Sequence, residues 1–173
     1  MRLPILLKNS LSENIFISEN GTKKQKYEEL LPQLKHLLLP SDDLIANLAN
    51  CSAALKTAFN FWWVGFYLVK NNQLILGPFQ GPVACTSIQL GKGVCGSSWQ
   101  HTTSIIVENV NNFPGHIACS SASLSEIVVP IILNSNVVAV LDVDSEYLSH
   151  FDEIDKKYLE ELASYIAKLF AKN

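Results

Sequence analysis

Charge is scarce in this chain. Only 17% of its 173 residues are charged, against 48% hydrophobic, which excludes a disordered segment and predicts a packed domain. Thirteen basic side chains face sixteen acidic ones, a formal charge of −3, and they form no Arg/Lys-rich run, so a nucleic-acid partner is excluded. Long apolar runs are missing as well. None approaches the roughly 20 residues that a membrane-spanning helix needs, so no membrane partner is expected. The apolar stretch after Met1-Arg2 is too short for a signal-peptide core of roughly 7–15 residues. No internal repeat or low-complexity tract is visible. By length the chain is one domain, with residues 21–173 as its body and 1–20 as an N-terminal extension, expected in the reducing cytoplasm.

Cysteines are few but clustered. Of four, Cys85, Cys95 and Cys119 fall within one 35-residue window, each beside glycine- or proline-rich sequence. Several thiols on neighbouring segments point to a redox relay, a metal site or disulfides, whereas Cys51, on a helical stretch, reads as a packed apolar thiol. Zinc is the weaker choice. There is no C-x2-C pair, the spacings are ten and twenty-four, and His116 would have to serve as a fourth ligand. Two thiols near a third are what a sulfenic acid needs in order to be resolved as a disulfide. The Gly91-x-Gly93-x-x-Gly96 spacing matches a dinucleotide fingerprint, but the βαβ context that gives it meaning is absent.

Apolar spacings of three and four predict a helix over 23–39, interrupted by Pro32, and a second helix from Leu44 after a Pro40-Ser41-Asp42 stop and cap. Strands follow over 61–69 and around 74–77, joined by an Asn71-Asn72 turn, and then over 84–90. A short helix over 94–100, a short strand over 104–108 and a long loop over 109–123 precede a second hairpin, 127–133 with 137–143. An amphipathic helix capped by Asp152 closes the chain. Successive hairpins predict an α+β fold: a mostly antiparallel sheet of about six strands with N- and C-terminal helices packed on one face.

Three acids are out of place. Asp142 and Asp144 follow the apolar run Val137-Val138-Ala139-Val140-Leu141 and, two apart on a strand, share one face. Glu126 opens the neighbouring strand. Carboxylates sharing a cavity repel one another, which raises a pKa and keeps a proton available; the alternative is a strand end in solvent. On the aromatic strand, alternation sends Trp63 and Tyr67 to one side, as a wall for a small apolar group or as core packing.

Together these motifs resemble the free methionine-(R)-sulfoxide reductases, which are single-domain GAF proteins. The likeness runs over 24–170 and is carried by Trp63-Val64-Gly65-Phe66-Tyr67, Gly77-Pro78-Phe79-Gln80-Gly81, Gly91-Lys92-Gly93-Val94-Cys95-Gly96, Gly115-His116-Ile117-Ala118-Cys119, Ser125-Glu126-Ile127-Val128-Val129-Pro130 and Leu141-Asp142-Val143-Asp144-Ser145. The resemblance implies reduction of free L-methionine-(R)-sulfoxide to methionine, through a cysteine sulfenic acid and an intramolecular disulfide recycled by thioredoxin, with no cofactor. It makes Cys119 the nucleophile and Cys85 the resolving thiol, with Cys95 able to take part. Glu126, Asp142 and Asp144 become the acids, and Trp63, with Tyr67 nearby, faces the substrate methyl. Backbone N–H groups around Ile117 and Ala118 suit the substrate carboxylate. Family GAF domains often dimerise, so a homodimer is a further expectation. The competing reading is a GAF sensor that binds a small molecule without turnover.

Overall fold

The computed structural model describes residues 15–115 and 122–171. The expected positions His116, Ile117, Ala118 and Cys119 lie outside the described residues. In chain order the elements are α1 (Lys23–Leu37), α2 (Leu44–Phe59), β1 (Trp63–Lys70), β2 (Gln73–Gln80), β3 (Ser87–Gln89), α3 (Gly93–His101), β4 (Ile105–Val107), β5 (Ser125–Leu133), β6 (Asn136–Ser145) and α4 (Glu153–Phe170). The six strands form one sheet in the order β3-β2-β1-β6-β5-β4, and every neighbouring pair is antiparallel. Both expected hairpins close through two residues at positive φ: Asn71 and Asn72 join β1 to β2, and Asn134 and Ser135 join β5 to β6. Such turns match the right-handed twist of the strands they join.

Strand alternation gives the sheet two unlike faces. Val64, Phe66 and Leu68 of β1, Ile127, Val129 and Ile131 of β5, and Ala139, Leu141 and Val143 of β6 pack against α1, α2 and α4 in the main core. Cys51 is fully buried in that core, as a small apolar side chain. Burial pushes its thiol far above the usual range. The opposite face carries Trp63, Tyr67, Val128 and Val140 and is covered by α3, with Val94 and Cys95 inward. That second layer is smaller, and the cavity described below opens within it.

Three boundaries differ from expectation. Pro32 lies inside a continuous α1 rather than interrupting it. A helical proline withholds a donor from the carbonyl four residues back, here that of Glu28; beside it, the Gln33 side chain donates to Glu29 O at 2.8 Å. Tyr27, Leu30, Leu31 and Leu34, on both sides of the proline, are buried and hold the helix in place. The cap of α2 is Asp43, whose side chain accepts from Ala46 N at 3.0 Å, and not Asp42. Of the strand expected over 84–90 only Ser87–Gln89 pairs. Residues 15–18 run along α1: Ile15 and Ile17 pack on the core, and Phe16 and Ser18 bond Gln33 and Glu29.

Candidate active site

Register places the acids. On β6, Asp144 stands between Trp63 of β1 and Glu126 of β5, and Asp142 stands between Gly65 and Val128. Because side chains two apart share a face, Glu126, Asp142 and Asp144 project together into the layer beneath α3. The first turn of α3 adds Cys95, whose Sγ is 4.0 Å from Glu126 Oε1. Glu126, Asp142, Asp144 and Cys95 line one cavity with Trp62, Trp63, Tyr67, Val83, Ala84, Lys92 and Ser123.

Burial dominates the electrostatics. Glu126 and Asp142 are buried, and removal from water raises both carboxyls well above their usual range. Mutual repulsion adds to this, from Asp142 and Asp144 on Glu126 and from Asp144 on Asp142. Asp144 is half-buried, and burial moves its carboxyl up to about 6 against the pull of a 2.6 Å hydrogen bond from Ser123 Oγ. Asp142 Oδ1 is buried with no hydrogen-bond partner among the described residues. None of the three acids has an ion pair there. Burial, then the charges of Asp142 and Glu126, raise the Cys95 thiol well above its usual range. At neutral pH the cluster therefore retains protons, which it can deliver to a weak base, while its ionised members attract a cation.

The aromatic wall is held from two sides. Trp63 stacks on Phe79, ring centroids 5.3 Å apart, and on Tyr67 at 6.0 Å. Its indole lies over Gly65, where a Cβ would come within 2.7 Å of the ring and 2.3 Å of Phe79 Cβ. Trp63 Nε1 donates to Pro82 O at 3.1 Å, and the Tyr67 hydroxyl donates to Cys85 O at 3.0 Å. The wall and the Cys85 loop are thus one hydrogen-bonded unit. Cys51 and Cys95 are free thiols, whereas Cys85, half-buried in that loop, is disulfide-bonded.

The GAF domain family matches residues 48–171. GAF domain-containing protein A of Dictyostelium discoideum is 56% identical over 88% of this chain and 96% of its own. The free methionine-R-sulfoxide reductase of Saccharomyces cerevisiae is 41% identical over 91% of this chain and 92% of its own. The X-ray structure of free methionine-R-sulfoxide reductase from Neisseria meningitidis in complex with its substrate superposes with a TM-score of 0.88. It is 47% identical, covering 92% of this chain and 96% of that one. The chain belongs to the free methionine-R-sulfoxide reductase family of GAF domains.

In this GAF domain the structure gathers Trp63, Tyr67, Cys95, Glu126, Asp142 and Asp144 around one cavity and sets Cys85 in the loop beside it. Sequence reasoning missed Ser123, which bonds Asp144, and Lys92, Val83 and Trp62 on the wall. It also missed why position 65 is glycine. A glycine inside an aromatic strand signals a close approach of another group, and that signal was available. Nothing in the sequence marks Ser123. Among the described residues no helix is long and apolar enough to cross a membrane.

Proposed function

We propose that this protein reduces free L-methionine-(R)-sulfoxide to L-methionine. The observation that carries the proposal is the buried group of Glu126, Asp142 and Asp144, with its orphaned Asp142 oxygen, beneath the wall of Trp63 and Tyr67. A sulfoxide is a poor electrophile until its oxygen is protonated, and a carboxyl kept neutral by burial and its neighbours is a suitable donor. The ionised remainder of the cluster suits the substrate ammonium, and the indole suits its methyl group. Cys119 is assigned as the nucleophile: its thiolate attacks the sulfoxide sulfur, methionine leaves, and the oxygen remains on Cys119 as a sulfenic acid. Cys85 then displaces that oxygen as water and forms a disulfide, which a thioredoxin-type dithiol reduces. The disulfide-bonded state of Cys85 beside two free thiols supports its resolving role. A pocket that takes both the ammonium and, on backbone N–H groups near Ile117 and Ala118, the carboxylate would reject methionine sulfoxide within a peptide.

The test is to incubate the reduced protein with free methionine-(R)-sulfoxide, its S epimer and the N-acetylated R form, with thioredoxin coupled to NADPH oxidation. Turnover of the free R epimer alone is expected. Cys119→Ser should abolish it, and Cys85→Ser should release about one methionine per chain without cycling. Lack of turnover with all three compounds would overturn the reductase reading and leave a binding domain.

A further inference from the structure

We propose that Cys95, Glu126 and Asp142 form a binding site for a soft divalent cation of the zinc class, and that the bound ion closes the cavity to other ligands. One ligand atom from each of the three lies within 4.8 Å of the others, and all three side chains are buried. In a tetrahedral zinc site, bond lengths of about 2.3 Å to sulfur and 2.0 Å to oxygen put neighbouring ligand atoms roughly 3.5 Å apart. Cys95 Sγ and Glu126 Oε1, at 4.0 Å, need only a small side-chain rotation to reach that separation.

The Asp142 side chain supplies a second, independent observation. It is 7% exposed, lines the cavity, and leaves Oδ1 without a hydrogen-bond partner among the described residues. A buried carboxylate oxygen in that state is costly, and a cation is one of the few groups that would satisfy it. Lys92 lines the same cavity yet makes no ion pair with these acids. A thiolate paired with two carboxylates favours zinc or cobalt over magnesium or calcium, which prefer oxygen-only shells. Binding is an exchange of protons for the ion: the Cys95 thiol and any protonated carboxyl release theirs to solvent as the metal bonds form. The fourth position faces the cavity, where water completes the shell.

The ion would occupy the place proposed above for the substrate's polar end. That consequence rests on the reductase reading; binding itself does not. The experiment is a Co²⁺ titration of the full chain, oxidised so that the Cys85 sulfur stays in its disulfide. The absorption band of thiolate-to-cobalt charge transfer is followed, with Zn²⁺ as competitor. One equivalent is expected to develop the band, and Zn²⁺ to displace it. Cys95→Ala should abolish the band, and Cys51→Ala, in the opposite core, should keep it. Asp142→Asn should weaken binding by more than the roughly 10–100-fold that loss of an outer-shell partner costs. Circular dichroism of each variant separates ligand loss from unfolding. No band in the wild type, or a band that survives Cys95→Ala, as binding at another thiol would produce, overturns the site. Repeating the titration with methionine-(R)-sulfoxide present separates the two ideas. Weakened cobalt binding joins the sites, and an unchanged band in a protein that turns nothing over overturns only the reductase reading.

Discussion

Replacing Asp144 by Asn should make the protein more stable at neutral pH and leave it unchanged near pH 4. Asp144 sits in the cavity row between Trp63 and Glu126, and burial holds its carboxyl at about 6, above an ordinary value of 3.8. An acid whose pKa is raised by folding binds its proton more tightly in the native state. Its contribution is therefore complete below about pH 4 and is lost as pH rises through about 6. At about 1.36 kcal/mol per pH unit the gap corresponds to about 3 kcal/mol, and the partial exposure of the group brings the expectation to roughly 1.5–3 kcal/mol. The Asp144 charge also helps to raise Glu126 and Asp142, so its removal relieves them in the same direction. Asn keeps an oxygen for the Ser123 hydroxyl, so the 2.6 Å bond need not be lost. Urea unfolding of both proteins from pH 4 to 8 at constant ionic strength measures the difference directly. It should be near zero at pH 4 and grow to its full value by pH 7. A difference that is flat with pH, or an Asn variant less stable than wild type at pH 7, would refute burial as the source of the raised carboxyl.

Gly65→Ala should cost about 1–3 kcal/mol, since the new methyl meets Phe79 Cβ at 2.3 Å and the Trp63 ring at 2.7 Å; thermal unfolding should fall by several degrees, and the KM of any turnover should rise with the displaced indole. Lys23→Met leaves Asp155, 1% exposed, without its ammonium partner and with Tyr27 OH and Asp152 N as remaining donors. A loss of about 2–4 kcal/mol in urea unfolding is expected, and an unchanged midpoint would show that the pair is not needed. Tyr67→Phe frees the Cys85 carbonyl from its 3.0 Å hydrogen bond. Stability should drop by about 1 kcal/mol, and steady-state cycling should slow while the first-turnover methionine yield is unchanged; a lower first yield would place the hydroxyl in substrate binding instead.

The parts of this fold legible in the sequence are those in which one local rule decides the outcome. Alternation on β6 put Asp142 and Asp144 on the same face, but the apolar run before them is continuous and left open which face that is; the packing of Ala139, Leu141 and Val143 in the main core decides it. The Asn71-Asn72 turn marked the first hairpin and the polar stretch Asn134-Ser135-Asn136 the second, and both close at positive φ. Pro32 was misread because local chemistry predicts a break, whereas Tyr27, Leu30, Leu31 and Leu34 hold the turn through long-range packing. The strand expected over 84–90 is shortened to Ser87–Gln89 for a similar reason: residues 82–85 are held by side-chain donors, Trp63 to Pro82 and Tyr67 to Cys85, and not by a ladder. Ser123 carried no signal, since its partner Asp144 is 21 positions away and only the folded chain joins them.

The same contrast explains why the acids can exist at all. On the helix-covered face of β6, Ala139, Leu141 and Val143 meet a dense apolar layer, and a carboxylate there would find no water. On the other face, the short helix α3 and the 81–86 loop lie over the sheet, and among the described residues they leave a cavity. Gly65 lowers the floor so that the indole of Trp63 can lie flat across it. What remains is a cavity open enough for a ligand yet closed enough to hold protons on Glu126 and Asp142. Filling it with apolar side chains would stabilise the domain and remove the buried acids that the second layer carries among the described residues. The stability sacrificed there and the chemistry proposed there have the same origin, which is why Asp144→Asn should gain stability at the pH where its carboxylate is ionised.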